Sequence, residues 1–343
     1  MENKYIGHSK ILQELEEAFV SGRPHHAWII SGIEGVGKRP LARYIAHFVM
    51  RNYTGKLDLI TYDNKVAPLI RAGSHPDLFI LKRPYDDSGS KLKKEIPVAD
   101  VRELVKALQR TASYNSWRVV IIEDGHTLNE EGQNAILKFI EEPPDKTLVL
   151  IITEGALLPT IRSRARILHL DKLEDGEIKE IIKTAIRLYK EDSIDSSLYP
   201  EELLSNLAAK EFSEEILDNA VSLANGSAGF AMQILGQDVL HLYSEMRSVL
   251  AEAPAIDMER VYVLAEEIGK KDNSENLKML FKLLCSFFTD EIIKNEKEGN
   301  NIAAKKILRM LDVVNGYVNT MQQSNMDAKL TVINMFAEMK GGM

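Results

Sequence analysis

The chain has 343 residues, 45% hydrophobic and 27% charged, which is typical of a globular protein with two or three domains. Its single cysteine, Cys285, excludes an internal disulfide and a multi-cysteine metal centre. No apolar run approaches the ~20 residues that cross a bilayer. The formal charge of −8 argues against strong, independent binding to DNA. With an N-terminus that lacks a secretion signal, the cysteine usage predicts a cytoplasmic protein without a membrane partner.

Helical and strand patterns alternate over the first 170 residues. Apolar spacing predicts helices over 9–20, after the glycine-rich stretch near residue 37, and over roughly 98–110 and 130–141. Short apolar runs predict strands at 27–30, 78–81, 118–122, 148–152 and 166–170. Wholly apolar strands that alternate with helices indicate a parallel sheet covered on both faces. The polar segment 82–95 predicts a surface hairpin or a flexible loop.

Strand patterns end near residue 172, and the rest of the chain is predicted to be helical. Residues 172–238 indicate several short helices with a turn at 225–229. Apolar stripes over 277–288 and 308–321 predict two long amphipathic helices, and a last helix is expected over 327–340. The sequence therefore predicts an α/β domain at 1–171, a small helical domain at 172–240 and a larger helical domain at 241–343.

A glycine-rich loop, SGIEGVGKR, follows the first predicted strand and leads into a helix. It matches the phosphate-binding pattern G-x-x-x-x-G-K-[ST] at Gly32, Gly37 and Lys38, with Gly35 inside the loop. The last position differs, because Arg39 replaces the hydroxyl residue that binds Mg²⁺. An arginine can contact phosphate but cannot be a ligand of the metal that phosphoryl transfer needs. The loop therefore predicts a P-loop fold without ATP hydrolysis, and it leaves nucleotide binding open.

A second candidate site follows the predicted strand RVVII. Glu123 and Asp124 end this strand, where a Walker B segment has an aspartate that helps to hold Mg²⁺, often followed by a catalytic glutamate. Here the two acids are in reverse order, and a displacement of about 1 Å can cost ~100-fold in rate. An acidic loop after a strand is the structural alternative. Together with Arg39, the reversed order indicates a degenerate metal site.

Two further stretches resemble the clamp-loader ATPases of the AAA+ superfamily. NAILKFIEEPP (134–144) follows the Walker B-like strand in register with the family's N-A-L-L-K-x-L-E-E-P-P segment. Ser163-Arg164-Ala165 stands where the family has Ser-Arg-Cys, whose arginine reaches the ATP of a neighbouring subunit. The resemblance thus assigns Arg164 the role of an arginine finger in trans, with Arg162 and Arg166 as flanking alternatives.

Within this family, the chain resembles the delta-prime subunits of the bacterial DNA polymerase III clamp loader. The resemblance covers most of residues 5–240, including GRPHHAWIISG and AGSHPDLFIL, and returns weakly at 325–336. It implies a P-loop (AAA+) parallel-sheet domain, a helical lid domain and a helical collar domain. Implied partners are the delta and gamma/tau subunits, with the sliding clamp and primer-template DNA reached through the assembly.

The chain also departs from its relatives in ways that bear on cofactors. Many relatives have a four-cysteine zinc module where this chain has the cysteine-free segment 52–73, so no zinc is predicted. The turn GSAGFA (226–231) lacks the arginine that active subunits place near the phosphates. The resemblance therefore implies a subunit that requires no cofactor and has no independent ATPase activity. Two alternatives remain: an active gamma/tau-type ATPase, and an AAA+-fold scaffold outside replication.

Overall fold

The computed structural model describes residues 5–21, 24–50, 67–86, 89, 92–108, 117–194, 198–237, 239–253, 255–270, 274–323 and 327–341. The chain divides into two compact units. The first contains residues 1–212 and 224–231, and the second contains residues 213–223 and 232–343. The division into three domains at 1–171, 172–240 and 241–343 stays a prediction.

The first unit is built on a parallel sheet with the order β2-β3-β4-β1-β5. Its strands are β1 (Ala27–Gly32), β2 (Leu78–Leu81), β3 (Arg118–Ile122), β4 (Thr147–Thr153) and β5 (Arg166–Leu170). All four neighbouring pairs are parallel. The five predicted strands are confirmed, and β1 and β4 are each two residues longer than predicted.

Helices precede, connect and follow these strands, as the sequence predicted. They are α1 (Ser9–Val20), α2 (Lys38–Met50), α3 (Ala67–Arg71), α4 (Val98–Leu108), α5 (Glu130–Glu141), α6 (Pro159–Arg162), α7 (Asp175–Lys190) and α8 (Glu201–Ala208). A 3₁₀ turn, Gly125–Thr127, follows β3. The side chain of Asn129 caps α5 by accepting a hydrogen bond from the amide of Gly132 at 2.9 Å. Pro143 and Pro144 follow α5 and prevent its continuation.

Both faces of the sheet are buried. Alternate residues of the central strands, among them Ile29, Val120 and Ile151, share one hydrophobic cluster with side chains of α4 and α5. The residues between them, such as Trp28, Ile30 and Ile121, are buried as well, and α2 contacts β1, β3 and β4. The strands therefore read as continuous apolar runs because neither face of the central sheet meets water.

The outer strand β5 departs from the expectation of wholly apolar strands. Only Leu168 and Leu170 are buried, whereas Arg166, Ile167 and His169 are exposed. Among the described strands β5 has a single neighbour, β1, so part of its surface stays in contact with solvent.

The described residues of the polar segment 82–95 pair as in a hairpin, one of the two predicted possibilities. Tyr85 and Leu92 make an antiparallel bridge, and the amide of Lys93 donates to the carbonyl of Pro84 at 2.8 Å. The segment leaves β2 and returns before α4.

The second unit is helical. It holds nearly all of α9 (Glu214–Ala224), most of α10 (Ala228–Gln237), and α11 (Leu240–Leu250), α12 (Met258–Lys270), α13 (Ser274–Lys297), α14 (Asn301–Gln323) and α15 (Ala328–Gly341). The two long predicted helices, α13 and α14, pack against each other, and α12 packs against α15. Phe281 and Phe336 are fully buried in this unit. Within the described ranges, no helix is both long and apolar enough to cross a membrane.

Candidate functional site

Three strand ends meet at the carboxyl edge of the sheet. The glycine loop follows β1, and Glu123 and Asp124 follow β3. Thr153 is the last residue of β4, and Glu154 comes directly after it. Because β4 lies between β1 and β3, these segments are neighbours. Open α/β sheets bind ligands at this edge. The structure therefore brings together the P-loop and Walker B residues that the sequence singled out.

The ammonium group of Lys38 is held by three acceptors of the chain itself. It donates to the carbonyl oxygens of Gly32 at 2.9 Å and Ile33 at 2.6 Å, and to Oε1 of Glu154 at 2.9 Å. An ammonium group has three N–H donors, so these bonds use all of them. Lys38 is buried, whereas Glu154 is half-exposed. The lysine that would contact phosphate in a working P-loop is fully hydrogen-bonded internally.

Arg39 lies between the two Walker B carboxylates. Its Nε is 3.3 Å from Oε2 of Glu123, and its terminal nitrogen is 3.5 Å from Oδ1 of Asp124. Arg83, from the polar hairpin, contacts the other oxygen of Asp124 at 3.1 Å through both Nε and a terminal nitrogen. Glu123 is buried, so its guanidinium partner offsets a desolvated charge. A cation thus already faces the carboxylates that would bind Mg²⁺.

Six charged groups pair with one another at this edge, and their formal charges cancel. Three basic groups (Lys38, Arg39, Arg83) pair with three acidic groups (Glu123, Asp124, Glu154). A site that holds Mg²⁺ and a triphosphate needs free carboxylate oxygens for the metal and free cations for the phosphates. Both are paired internally here, and no hydroxyl stands after Lys38. Arg83 and Glu154 were missed by sequence reasoning, although Glu154 directly follows the strand end at Thr153.

The glycine loop is packed against the start of α10. The amide of Gly229 donates to the carbonyl of Gly35 at 2.9 Å, and Oγ of Ser227 donates to the carbonyl of Glu34 at 2.8 Å. A Cβ on Gly35 would lie 2.3 Å from Oγ of Ser227, and the backbone of Gly35 is left-handed, with φ of +74°. Only glycine fits here. The predicted turn at 225–229 is confirmed for residues 225–227, with positive φ at Asn225 and Gly226, whereas residues 228 and 229 already belong to α10.

Residues before α1 contact the other end of the same loop. The hydroxyl of Tyr5 donates to the carbonyl of Gly37 at 3.2 Å, and Nε2 of His8 lies 3.1 Å from the carbonyl of Val36. Burial is the main cause that raises the pKa of Tyr5 far above its ordinary value, so this tyrosine stays protonated. These contacts hold two further carbonyls of the loop, and no sequence motif indicated them.

The candidate finger, Arg164, follows α6 and is fixed locally. Its Nε is 2.8 Å from Oε1 of Glu141 at the end of α5. One terminal nitrogen, Nη1, donates to the carbonyl of Thr160 at 3.0 Å and to Oγ of Ser163 at 3.2 Å. The other terminal nitrogen, Nη2, makes no hydrogen bond within the described part of the chain. The side chain is half-exposed, so that nitrogen is available to an outside anion.

Arg166 and Arg162 have different surroundings. Arg166 is paired with Glu14 at 2.5 Å, and its guanidinium carbon lies 5.2 Å from the ring centre of Trp28. These contacts fix Arg166 on the sheet. Arg162 is exposed, and its guanidinium has no hydrogen bond or ion pair to another described residue.

Arg164 and the P-loop lie at opposite edges of the sheet. Arg164 precedes β5, whose first residue, Arg166, lies opposite Trp28 in the strand register. Gly32 of the glycine loop lies opposite Leu170, the last residue of β5. Four residues of strand separate these levels, which is about 13 Å. The chain therefore does not bring the predicted finger to its own glycine loop.

The structure gives no cluster of three or more potential metal ligands within the described ranges. Most of the cysteine-free segment 52–73, on which the prediction of no zinc rests, lies outside the described residues.

Comparisons with known proteins identify relatives of this chain. A family model described as "DNA polymerase III, delta subunit" matches residues 7–174. The delta' subunit of Pseudomonas aeruginosa is 27% identical over 317 residues, or 90% of this chain and 86% of that one. The gamma subunit of Buchnera aphidicola is 29% identical over 241 residues, or 70% of this chain but only 58% of that one.

One solved structure, of a DNA polymerase III gamma subunit-related protein from Thermotoga maritima, aligns over 97% of both chains at 17% identity with a TM-score of 0.47. The matched family falls on the α/β core that carries the glycine loop, the Walker B-like strand and Arg164. The α/β core of this chain, over residues 7–174, belongs to the clamp-loader family of DNA polymerase III subunits.

Proposed function

We propose that this chain is a delta-prime-type subunit of the clamp loader, which keeps the ATPase fold but does not hydrolyse ATP. In this role it helps to load the sliding clamp onto primed DNA and donates Arg164 to the ATP site of a neighbouring subunit. The ion pair of Arg39 with Glu123, together with its contact to Asp124, carries the proposal. A guanidinium there competes with Mg²⁺ for the same carboxylates.

Loss of the metal removes most of the chemistry of the site. Mg²⁺ bridges and neutralises the β- and γ-phosphates, and a cationic side chain cannot bridge them while it also holds Glu123. The three bonds of Lys38 add a competitor, because a phosphate would have to displace Glu154. We therefore propose that Gly32, Gly35, Gly37 and Lys38 act as a structural loop, and that neither ATP nor a metal is required.

The position of Arg164 supports a role in trans. The side chain lies at the opposite edge of the sheet from Lys38, is half-exposed and keeps Nη2 without a partner among the described residues. An arginine that stabilises the charge of a transferring phosphoryl group is worth about 10³–10⁵-fold in rate. A neighbouring gamma/tau-type subunit would supply the phosphates that this chain does not bind.

The remaining partners follow from the assembly. We propose that the helical second unit joins a collar with the delta and gamma/tau subunits, as the family resemblance implies. The formal charge of −8 suits a subunit whose DNA and clamp contacts are shared with its neighbours.

A turnover assay tests the proposal. Steady-state ATP hydrolysis is measured with clamp and primed DNA for the chain alone, for the reconstituted loader, and for the loader with Arg164→Ala in this chain. We expect no turnover by the chain alone and a several-fold lower rate in the variant loader. An unchanged rate with Arg164→Ala would refute the arginine-donor role, and the parallel variant Arg162→Ala checks the neighbouring candidate.

The gamma/tau alternative has one observation in its favour, since a gamma subunit is as similar in sequence as a delta' subunit. If it is right, the chain alone hydrolyses ATP, and Lys38→Ala abolishes that activity. The same assay therefore separates the two functions. Co-purification with delta and gamma/tau subunits separates both from a scaffold outside replication.

A further inference from the structure

We propose that Glu141 is a positioning residue, which holds the guanidinium of Arg164 in the orientation that presents Nη2 to the phosphates of a neighbouring subunit. The inference rests on the proposed arginine-donor function. Its physical basis is the contact of 2.8 Å between Oε1 of Glu141 and Nε of Arg164.

Glu141 is presented from a rigid element. It is the last residue of α5, and the proline pair that follows prevents the helix from continuing. The preceding residues Phe139 and Ile140 are buried in the hydrophobic cluster beneath the sheet. The carboxylate therefore extends from a helix end whose backbone is fixed by the core.

The backbone of Arg164 is fixed by the same cluster. Ile161 of α6 is fully buried in it, and the amide of Arg164 donates to the carbonyl of Ile161 at 3.1 Å. The buried side chain of Gln133 links the two helices, because its Oε1 accepts from the amide of Leu158 at 2.8 Å. Both partners of the ion pair thus stand on one packed base, so their separation is set by the fold.

The hydrogen-bond inventory of the guanidinium shows which atoms remain. Arginine has five N–H donors. Nε forms the ion pair with Glu141, and Nη1 donates to the carbonyl of Thr160 and to the hydroxyl of Ser163. The two donors of Nη2 stay without a partner in the described chain. The plane of the guanidinium is therefore fixed on one side and open on the other.

The carboxylate orients the arginine more than it neutralises it. Glu141 contacts a single nitrogen of Arg164, so the ion pair is not bidentate. Both side chains are half-exposed. Solvent screens a pair of this kind, so its net attraction is small. The gain lies in restricting a long side chain that otherwise samples many rotamers.

The test uses the reconstituted loader with clamp and primed DNA. ATP hydrolysis is measured for loaders that carry Glu141→Ala, Glu141→Gln, Arg164→Ala and the double variant in this chain. Glu131→Ala is the matched control, since Glu131 is on the same helix and makes an exposed ion pair with Arg102 at 2.5 Å. Melting of each isolated chain shows whether it folds.

We expect Glu141→Ala to lower kcat by about three- to tenfold with little change in KM, a smaller loss than that from Arg164→Ala. Glu141→Gln keeps an acceptor oxygen and should retain most of the rate. Glu141→Ala should have no further effect when Arg164 is already alanine, whereas Glu131→Ala should leave kcat unchanged.

The outcomes separate the inference from the function on which it rests. If Arg164→Ala lowers kcat but Glu141→Ala does not, only the positioning role is wrong. A rise in kcat with Glu141→Ala would mean that the carboxylate restrains the arginine, which also overturns it. If Arg164→Ala has no effect, the arginine-donor function itself fails.

Discussion

The amide nitrogen of Gly229 lies 2.9 Å from the carbonyl oxygen of Gly35, so the first turn of α10 is hydrogen-bonded to the glycine loop. No side chain separates the two backbones. A Cβ on Gly229 would be 2.8 Å from Cα of Gly35. At the start of a helix that faces a nucleotide, such an amide can donate a hydrogen bond to a phosphate oxygen. Here it is bonded to the loop itself.

Gly229→Ala should therefore destabilise the chain. The new methyl group meets backbone atoms that cannot move alone, and overpacking of this kind costs about 1–3 kcal/mol. The matched control is Gly176→Ala in α7, where an added Cβ meets nothing within 4 Å. That substitution should be neutral or slightly stabilising, because alanine is favoured in helices. Denaturant unfolding of both variants measures the difference, and equal stabilities would contradict the close contact.

Glu154→Gln should raise the affinity of the chain for ATP. Without the carboxylate charge of Glu154, a phosphate competes with a weaker partner for the ammonium group of Lys38. Glu154 is half-exposed, so the ion pair is worth at most about 1 kcal/mol, which corresponds to about fivefold in affinity. Isothermal titration of wild type and variant with ATP checks the direction.

The control for this titration is Glu103→Gln, which makes the same change in net charge on the exposed side of α4. An equal rise in both variants would mean that overall charge, not Glu154, governs the affinity. Hydrolysis should stay absent in the Glu154 variant, because Arg39 still faces Glu123 and Asp124.

Arg39→Ala should lower the free energy of unfolding by about 1–3 kcal/mol, because it leaves the buried carboxylate of Glu123 without its guanidinium partner. Asp124 keeps Arg83 as a counter-ion. Arg102→Ala removes an arginine from an exposed ion pair and should change stability by less than about 0.5 kcal/mol. Chemical denaturation compares the two, and a stable Arg39→Ala chain would contradict a structural role for this arginine.

Acidification should destabilise the chain in part through His75. Burial lowers the pKa of His75 below its ordinary value of 6.5, and the nearby charge of Asp77 opposes this only partly. Its Nδ1 accepts a hydrogen bond from the amide of Asp77 at 3.2 Å, which requires that nitrogen to be unprotonated. The unfolded chain takes up the proton more readily. The stabilising contribution is therefore present above pH 6.5 and decreases as the pH falls below it.

His75→Asn tests this pH dependence. An asparagine oxygen can accept from an amide two residues later, as in Asx turns, but it does not titrate near neutral pH. Thermal melting at pH 7.5 and 5.5 should show a smaller decrease in the variant than in wild type. Equal decreases would show that other groups account for the acid sensitivity.

Much of the first unit could be predicted from the sequence because its strands are buried on both faces. RVVII and LFIL have no competing periodicity, and the strands were correctly placed. The prediction of a sheet covered on both faces is wrong for the outer strand β5, which has one neighbour among the described strands and exposes Ile167 and His169. The short helices α3 and α6 are too brief to show a periodic pattern.

The contacts that the site residues make with other parts of the chain could not be predicted. Motifs placed Lys38, Arg39, Glu123 and Asp124, but a motif describes residues that are close along the chain. Glu154 is 116 residues from Lys38 and Gly229 is 194 from Gly35, so only the strand order and the packing of α10 reveal these contacts. Arg83 lies on the polar segment 82–95, which the sequence predicted to be a surface hairpin or a flexible loop without any link to the site.

The pairing of basic with acidic side chains at the carboxyl edge affects how such a subunit responds when ATP binds and is released. A ligand shifts a conformational equilibrium only by its difference in affinity for the two states. Under the proposed function, a glycine loop whose cation and carboxylates are already paired gains little from ATP or ADP in any state. The conformation of this subunit would then not depend on nucleotide concentration. Arg164 would be held in the same position each time the neighbouring subunit binds ATP.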